Sequence, residues 1–379
     1  MSVIINARSP YYIKLSYASL YKAEVDIFIY SGTLTTDKPA TPTYILEQYT
    51  TTGNDYVIIE LSEIIRDYLY TEYYTEAVDA VWVEVDYDLK NVSDVSLSTG
   101  SLDYLAFDGY GDFLEGANPR TSTNPTNASY TPMVLQDNIN VYFIKGKDIK
   151  IPFFSEPNPT ITTNVSLGVW NEVDYFWEQT DYTWDYLSVP QSVTDNDNSL
   201  NKIQYLVIDS SQLETGTEIT FTSTTGNSQI TTINLIEYCE PKYEPYRIIF
   251  YNKYGTLQDI WASKRSNVSI NSKDESYKSN VMDFSQSTPS YSIYKHSKKR
   301  FNVELNKSIT LNTDFLKEEY NEVIEQMMAS EQIWIENNTD TIPVILKSKS
   351  LQFKTSVNDK LIQYTFEFDY AFDTIQNIR

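Results

Sequence analysis

The sequence predicts a mainly β protein: two β-sandwich-like N-terminal domains, then a C-terminal α+β domain with one amphipathic helix on an antiparallel sheet. Three observations carry that reading. Along much of the 379 residues, apolar and polar side chains alternate in short runs, the period of a half-buried strand. One segment near the C-terminus switches to spacings of three and four. The chain also holds 32 Tyr. Tyr suits strands with one wet face, because its ring packs while its hydroxyl stays hydrated. It is also enriched at interfaces.

Residues 1–116 read as the first domain. Tyr11–Tyr17, Ala23–Tyr30, Tyr44–Tyr49, Tyr56–Leu61 and Val81–Tyr87 are strand-like, separated by turn-rich segments at the spacing of an immunoglobulin-like or fibronectin-like sandwich. Ser62–Leu69 interrupts them with a Leu61/Ile64/Ile65/Tyr68/Leu69 stripe, predicting one or two helical turns capped by Ser62. A linker is expected over 117–138, since Glu115–Met133 is rich in Pro, Asn, Ser and Thr and has little to bury. A second β domain follows over 139–240. Its turns are expected at Lys145–Asp148 and Ser223–Asn227, with a closing hairpin from Ile219–Phe221 to Ile230–Ile236. Pro241 and Pro245 then stop sheet pairing.

The third domain spans 241–379. Ser308–Leu311 reads as a strand, and Asn312-Thr313-Asp314 as the start of a helix running to about Ser330. Leu316, Tyr320, Val323, Ile324 and Met327 would form its core-facing stripe. Ile333/Ile335, Val344/Leu346, Leu351/Phe353 and Tyr364/Phe366/Phe368/Tyr370 then alternate with polar residues, with turns at Asn337–Asp340 and Ser356–Asp359.

Charge is unevenly distributed. The net charge is −23, yet residues 246–379 hold 17 basic and 17 acidic residues, so the excess lies in the first 245. Such a field repels polyanions, which argues against sequence-specific nucleic-acid binding but suits a wall that DNA slides past. Arg247–Thr310 is locally basic, with 11 Lys and Arg against 5 acids, and densest at Lys295-His296-Ser297-Lys298-Lys299-Arg300. Lys295, Lys298, Lys299 and Arg300 are therefore candidates for docking on the acidic face of an identical neighbour, a head-to-tail contact of the kind that closes rings. A plain solvated loop is the simpler alternative.

The inventory of chemistry is short. With only His296 and Cys239, neither a zinc site nor a Cys/His nucleophilic pair can be assembled. No phosphate-binding glycine loop, dinucleotide fingerprint or Gly-x-Ser-x-Gly elbow occurs. No enzyme activity and no cofactor are expected. Asp108–Asp112 with Glu115, and Asp195–Asn198, offer oxygen ligands but lack EF-hand spacing, so they read as turns. Trp170, Trp177 and Trp184 stand among Glu172, Asp174, Glu178, Asp181 and Asp185. That cluster would suit docking on a protein, binding of a sugar or, with two facing acids, glycoside hydrolysis. No stretch approaches 18 apolar residues, and Met1–Asn6 has no signal-peptide pattern, so neither membrane insertion nor export is expected.

Several segments resemble structural proteins of crAss-like bacteriophages. They are Asn6–Tyr11, Gly53–Tyr56 leading into Glu60–Tyr68, Cys239–Tyr243, Tyr251-Asn252-Lys253-Tyr254-Gly255-Thr256-Leu257-Gln258-Asp259-Ile260-Trp261, Ser308–Thr313 and Asn358–Ile362. The resemblance is most specific over 239–379, weaker over 1–70 and faint between. It implies a virion tail protein assembled in the host cytoplasm. Copies would form a ring, twelve-fold by the resemblance, around the DNA ejection channel below the portal, beside other tail and portal-proximal proteins. A receptor- or carbohydrate-binding tail module is the alternative.

Overall fold

A computed structural model of the chain describes residues 3–32, 34, 36–70, 73, 80–116, 118, 134–154, 160–164, 191–193, 203–213, 215–222, 230–238, 241–337, 340–348 and 361–374. The protein is mainly β, with multiple sheets and one short C-terminal helix. It divides into two compact units. The first is Met1–Glu240 with Phe250–Asp259 and Glu322–Ser330, and the second is Pro241–Ile249, Ile260–Asn321 and Glu331–Arg379.

Within the first unit, the opening strands are β1 (Val3–Asn6), β2 (Tyr12–Ser16), β3 (Lys22–Tyr30), β4 (Tyr44–Tyr49), β5 (Tyr56–Glu60), β6 (Ala80–Lys90) and β7 (Ser96–Phe107). Five form a sheet in the order β1-β7-β6-β3-β4, and β2 pairs with β5 in a separate ribbon. Alternation places Val25 and Ile27 of β3 and Val83 and Val85 of β6 inward, against Ile13, Leu15, Val57 and Ile59 of the ribbon. The two layers thus share one core, in the manner of a sandwich. The expected helical insertion is α1 (Ser62–Arg66), but its cap differs from expectation. Leu61 occupies the cap position without a side-chain bond, and Ser62 donates instead to Glu60 at 3.0 Å.

The second sandwich uses β8 (Asn140–Phe143), β9 (Ile149–Phe154), β10 (Thr160–Asn164), β11 (Gln191–Val193), β12 (Ile203–Ile208), β13 (Glu218–Thr222) and β14 (Ile230–Glu237). One sheet runs β10-β13-β14-β8 and the other β11-β12-β9. Phe143, Ile151, Phe153, Leu206, Phe221 and Leu235 fill the space between them.

The remaining strands are β15 (Tyr246–Tyr251), β16 (Leu257–Ala262), β17 (Asn267–Lys278), β18 (Met282–Asp283), β19 (Ser290–Tyr291), β20 (Lys298–Asn312), β21 (Leu316–Lys317), β22 (Ile333–Glu336), β23 (Thr341–Leu346), β24 (Leu361–Ile362) and β25 (Thr365–Tyr370). Seven make one sheet, β16-β15-β22-β23-β25-β20-β17. The helix is shorter than its spacing suggests. A 3₁₀ turn at Glu318–Tyr320 leads into α2 (Asn321–Ala329), whose buried face is Val323, Ile324, Gln326 and Met327. Leu316 is fully buried but not helical, because β21 pairs with β24 and Leu316 stands opposite Ile362. Thr313, expected in a helix cap, instead binds Tyr364 through both main-chain and side-chain atoms. Among the described residues, no helix is long and apolar enough to cross a membrane.

Candidate functional site

Two of the segments singled out in the sequence, Asn6–Tyr11 and Tyr251–Trp261, meet in one knot within the first unit. Asn6–Tyr11 closes on the segment after β7. Ala7 N–H donates to the Phe107 carbonyl at 2.8 Å, Arg8 N–H to that of Gly109 at 3.0 Å, and Gly111 N–H to the Ser9 hydroxyl at 2.8 Å. The Arg8 guanidinium grips both Asp108 oxygens, at 3.0 and 2.8 Å. Asp108 is therefore an ion-pair partner, and Asp112 caps a 3₁₀ turn by accepting from Leu114 N–H. Both serve the turn rather than a cation site.

The turn from Asn252 to Thr256 docks on the same segment. Gly255 has φ +74°, and a Cβ there would lie 2.5 Å from the Asp108 carbonyl. Tyr110 N–H donates to the Lys253 carbonyl at 2.9 Å. The Asn252 side chain holds the turn together. It accepts from Tyr254 N–H, Thr256 N–H and the Thr256 hydroxyl, and donates to the Leu135 carbonyl at 2.7 Å and to Gln258 at 3.2 Å. Asp137 accepts from the Tyr254 hydroxyl and from Gln326 at 2.7 Å. Burial, followed by the Asp137 charge, pushes the Tyr254 phenol well above its usual range, so its proton stays in place. The knot clamps chain segments together.

The second feature is a protruding ribbon. β17 and β20 pair antiparallel from Asn267↔Thr310 out to Lys278↔Lys298, while β25 flanks only Ser308–Asn312. Every residue of β17 is exposed, and both faces of the ribbon's outer part are solvated. From Asn271 to Lys278 it extends about 25 Å at strand rise, tipped by the small β18–β19 hairpin. A bulge between Lys273 and Glu275 breaks the register, with Asn302 opposite at φ +50°. Large apolar side chains stand out in water: Ile293 is 79% exposed, Tyr294 88%, Phe284 66% and Tyr291 63%. Tyr277–Arg300 carries five basic residues against Asp283 alone. Arg300 reaches back to Asp274 at 2.8 Å and to Ser272 at 3.0 Å.

The third feature is the outer face of the five-stranded sheet. Its register sets carboxylates opposite carboxylates: Glu24 faces Glu47 and Asp88, Asp26 faces Asp86, and Glu84 faces Asp103. Like charges directly opposed weaken a sheet. Lys38 relieves Glu84 and Asp86 at 2.9 and 2.8 Å, and Lys22 and Lys90 relieve Glu24 at 2.6 and 2.5 Å. Burial, then the Glu84 charge, still raise the Asp103 carboxyl above its usual range. A trough of about 740 Å³ opens on this face, lined by Glu24, Asp26, Ile45, Glu47, Asp86 and Asp88 among others.

Of the residues singled out by sequence, Lys295, Lys298, Lys299 and Arg300 all lie exposed on the ribbon. Lys298–Arg300 are in a paired strand rather than a loop, because Lys278, Tyr277 and Ser276 supply the partners. His296 is exposed at the same end. Trp170, Trp177 and Trp184, with the acids among them, lie outside the described residues, as do Asp195–Asn198, Ser223–Asn227, Cys239, Leu351/Phe353 and Ser356–Asp359. Among the described residues, no group of three or more Asp, Glu, His or Cys is gathered as a metal-ligand set. No protein-family model matches the chain, and no curated protein matches it.

Proposed function

We propose that the chain is a structural subunit of a bacteriophage tail, whose copies join into a ring around the DNA channel below the portal and dock neighbouring tail proteins. The observation that supports this most is the ribbon. A two-stranded projection with both faces solvated keeps apolar and aromatic side chains in water, an arrangement characteristic of interaction surfaces. Tyr, Phe, Met and Arg on it are the residue types that interfaces concentrate. The phage assignment itself comes from the resemblance of 239–379 and of the N-terminal motifs. The acidity of the first 245 residues suits a channel that must let DNA pass without holding it.

Sedimentation velocity and negative-stain electron microscopy of the full chain test the reading, alone and with neighbouring virion proteins. Closed rings are expected. Replacing residues 279–297 with an Asn-Gly turn should leave a folded chain that no longer assembles. Monomer alone in both settings would refute the proposal.

A further inference from the structure

Resting on that assembly reading, we infer that the ribbon of one copy docks on the carboxylate face of the β3–β4–β6–β7 sheet of the next. The occupant of the ribbon is thus a second copy of this chain, seated head-to-tail. Charge complementarity argues for it. The ribbon's outer end is basic, with Lys278, Lys295, Lys298, Lys299 and Arg300 against Asp283. The sheet face gathers seven carboxylates, Glu24, Asp26, Glu47, Glu84, Asp86, Asp88 and Asp103, for which Lys22, Lys38 and Lys90 are the close cations among the described residues. Each surface repels its own kind, which disfavours a two-fold dimer of ribbon on ribbon or face on face. Only the unlike pairing attracts, and a contact between unlike surfaces generates rings or filaments rather than dimers.

Shape and apolar content agree. A Lys or Arg stem from the ribbon fits the trough with its head among Glu24, Asp26, Glu47 and Asp88. Ile45, 70% exposed on the trough's edge strand, offers an apolar contact for the ring of Tyr294 or the side chain of Ile293. The opposed carboxylates then have a use. Their mutual repulsion, tolerated in the isolated sheet, falls when a cationic ribbon arrives, so the docked state gains from a feature that costs the free one.

A charge-swap experiment on the full chain tests this. One variant reverses the ribbon (K298E, K299E and R300E), and the other reverses the face (D26K and E47K). Each alone should lose assembly by at least tenfold in the concentration required, with a circular dichroism spectrum and melting temperature showing that it is folded. Mixed one to one, they should assemble again into particles in which the two alternate, because each reversed ribbon now meets a reversed face. If the parent assembles but the face variant assembles equally well, or if two folded variants do not rescue each other, this docking is wrong while the ring reading stands. A parent that never assembles overturns both.

Discussion

Asn252→Ala should destabilise the first unit by about 2–5 kcal/mol, a large loss for one exposed-looking turn residue. The magnitude follows from what Asn252 holds. It is only 2% exposed, Thr256 is fully buried and Tyr254 is 8% exposed. The substitution deprives two main-chain N–H groups, those of Tyr254 and Thr256, of their acceptor at 3.0 and 3.1 Å. Each orphaned buried donor costs roughly 1–3 kcal/mol. The loss at the Leu135 carbonyl is softened, because the Thr256 hydroxyl, freed from Asn252, lies 3.1 Å from that carbonyl and can donate to it instead. A water entering the vacated space would restore part of one bond, which holds the total below the simple upper sum.

Urea unfolding followed by hydrogen exchange at the β6 amides Val83–Leu89 reports this unit. Two controls sharpen it. Asn252→Asp keeps the three acceptor bonds but turns a negative oxygen toward Leu135 O and Gln258 Oε1, so it should rescue little. Thr256→Val loses only the hydroxyl and should cost about 1 kcal/mol. A loss below about 1 kcal/mol for Asn252→Ala, with β6 exchange at the parent rate, would refute the clamp.

Gly255→Ala should cost more than about 2 kcal/mol, because it adds the positive-φ penalty of a non-glycine residue to a 2.5 Å clash with the Asp108 backbone; a neutral urea midpoint would contradict the close approach. Leu316→Ala should cost about 2–5 kcal/mol as a buried truncation, and amide exchange should accelerate at both β21 and β24, whereas a helical Leu316 would leave β24 unchanged. Asp103→Asn should raise stability at pH 7. The folded pKa of Asp103 is raised, so its carboxyl favours folding only below its unfolded pKa, and that contribution is lost as pH rises through the folded value. The gain should therefore shrink as pH falls into the ordinary carboxylate range, and urea midpoints from pH 4 to 8 showing a flat or negative effect would rule this out.

Strands with one face in a core and one in water were legible in the sequence, because that asymmetry writes alternation into the chain. β3 and β25 show it plainly, with Ala23 and Val25, and Phe366 and Phe368, buried between half-buried or exposed neighbours. β7 was missed because Ser96–Ser101 puts Ser, Thr and Gly on the sheet and leaves almost no apolar period to read. Leu316 misled for a different reason. Its distance from Tyr320 and Val323 fits a helix face, and only pairing with Ile362, some 46 positions on, makes it a strand residue. At the candidate site the basic run was visible and its geometry was not. The carboxylate ladder was invisible too, since opposition of Glu24 and Asp88 depends on register across strands.

The ribbon is illegible in the sequence for one physical reason. Alternation arises only where a sheet has a buried side, and β17 with the outer half of β20 has none, so composition there follows neither core nor turn chemistry. A two-stranded ribbon without a third layer is barely stable by itself. This one is held at its base, where Ser308–Asn312 pairs with β25, and gains a further ring contact at Tyr277–Phe301. Nothing in that base requires Phe284, Tyr291, Ile293 or Tyr294 to be large and apolar. Selection for folding alone would drift such positions toward polar residues, since exposed apolar side chains on an edge invite adventitious pairing. The bulge at Lys273–Glu275 and the dense Lys and Arg are devices that discourage such pairing while leaving a defined surface. Their coexistence with the apolar side chains is what the docking role proposed for the ribbon would require.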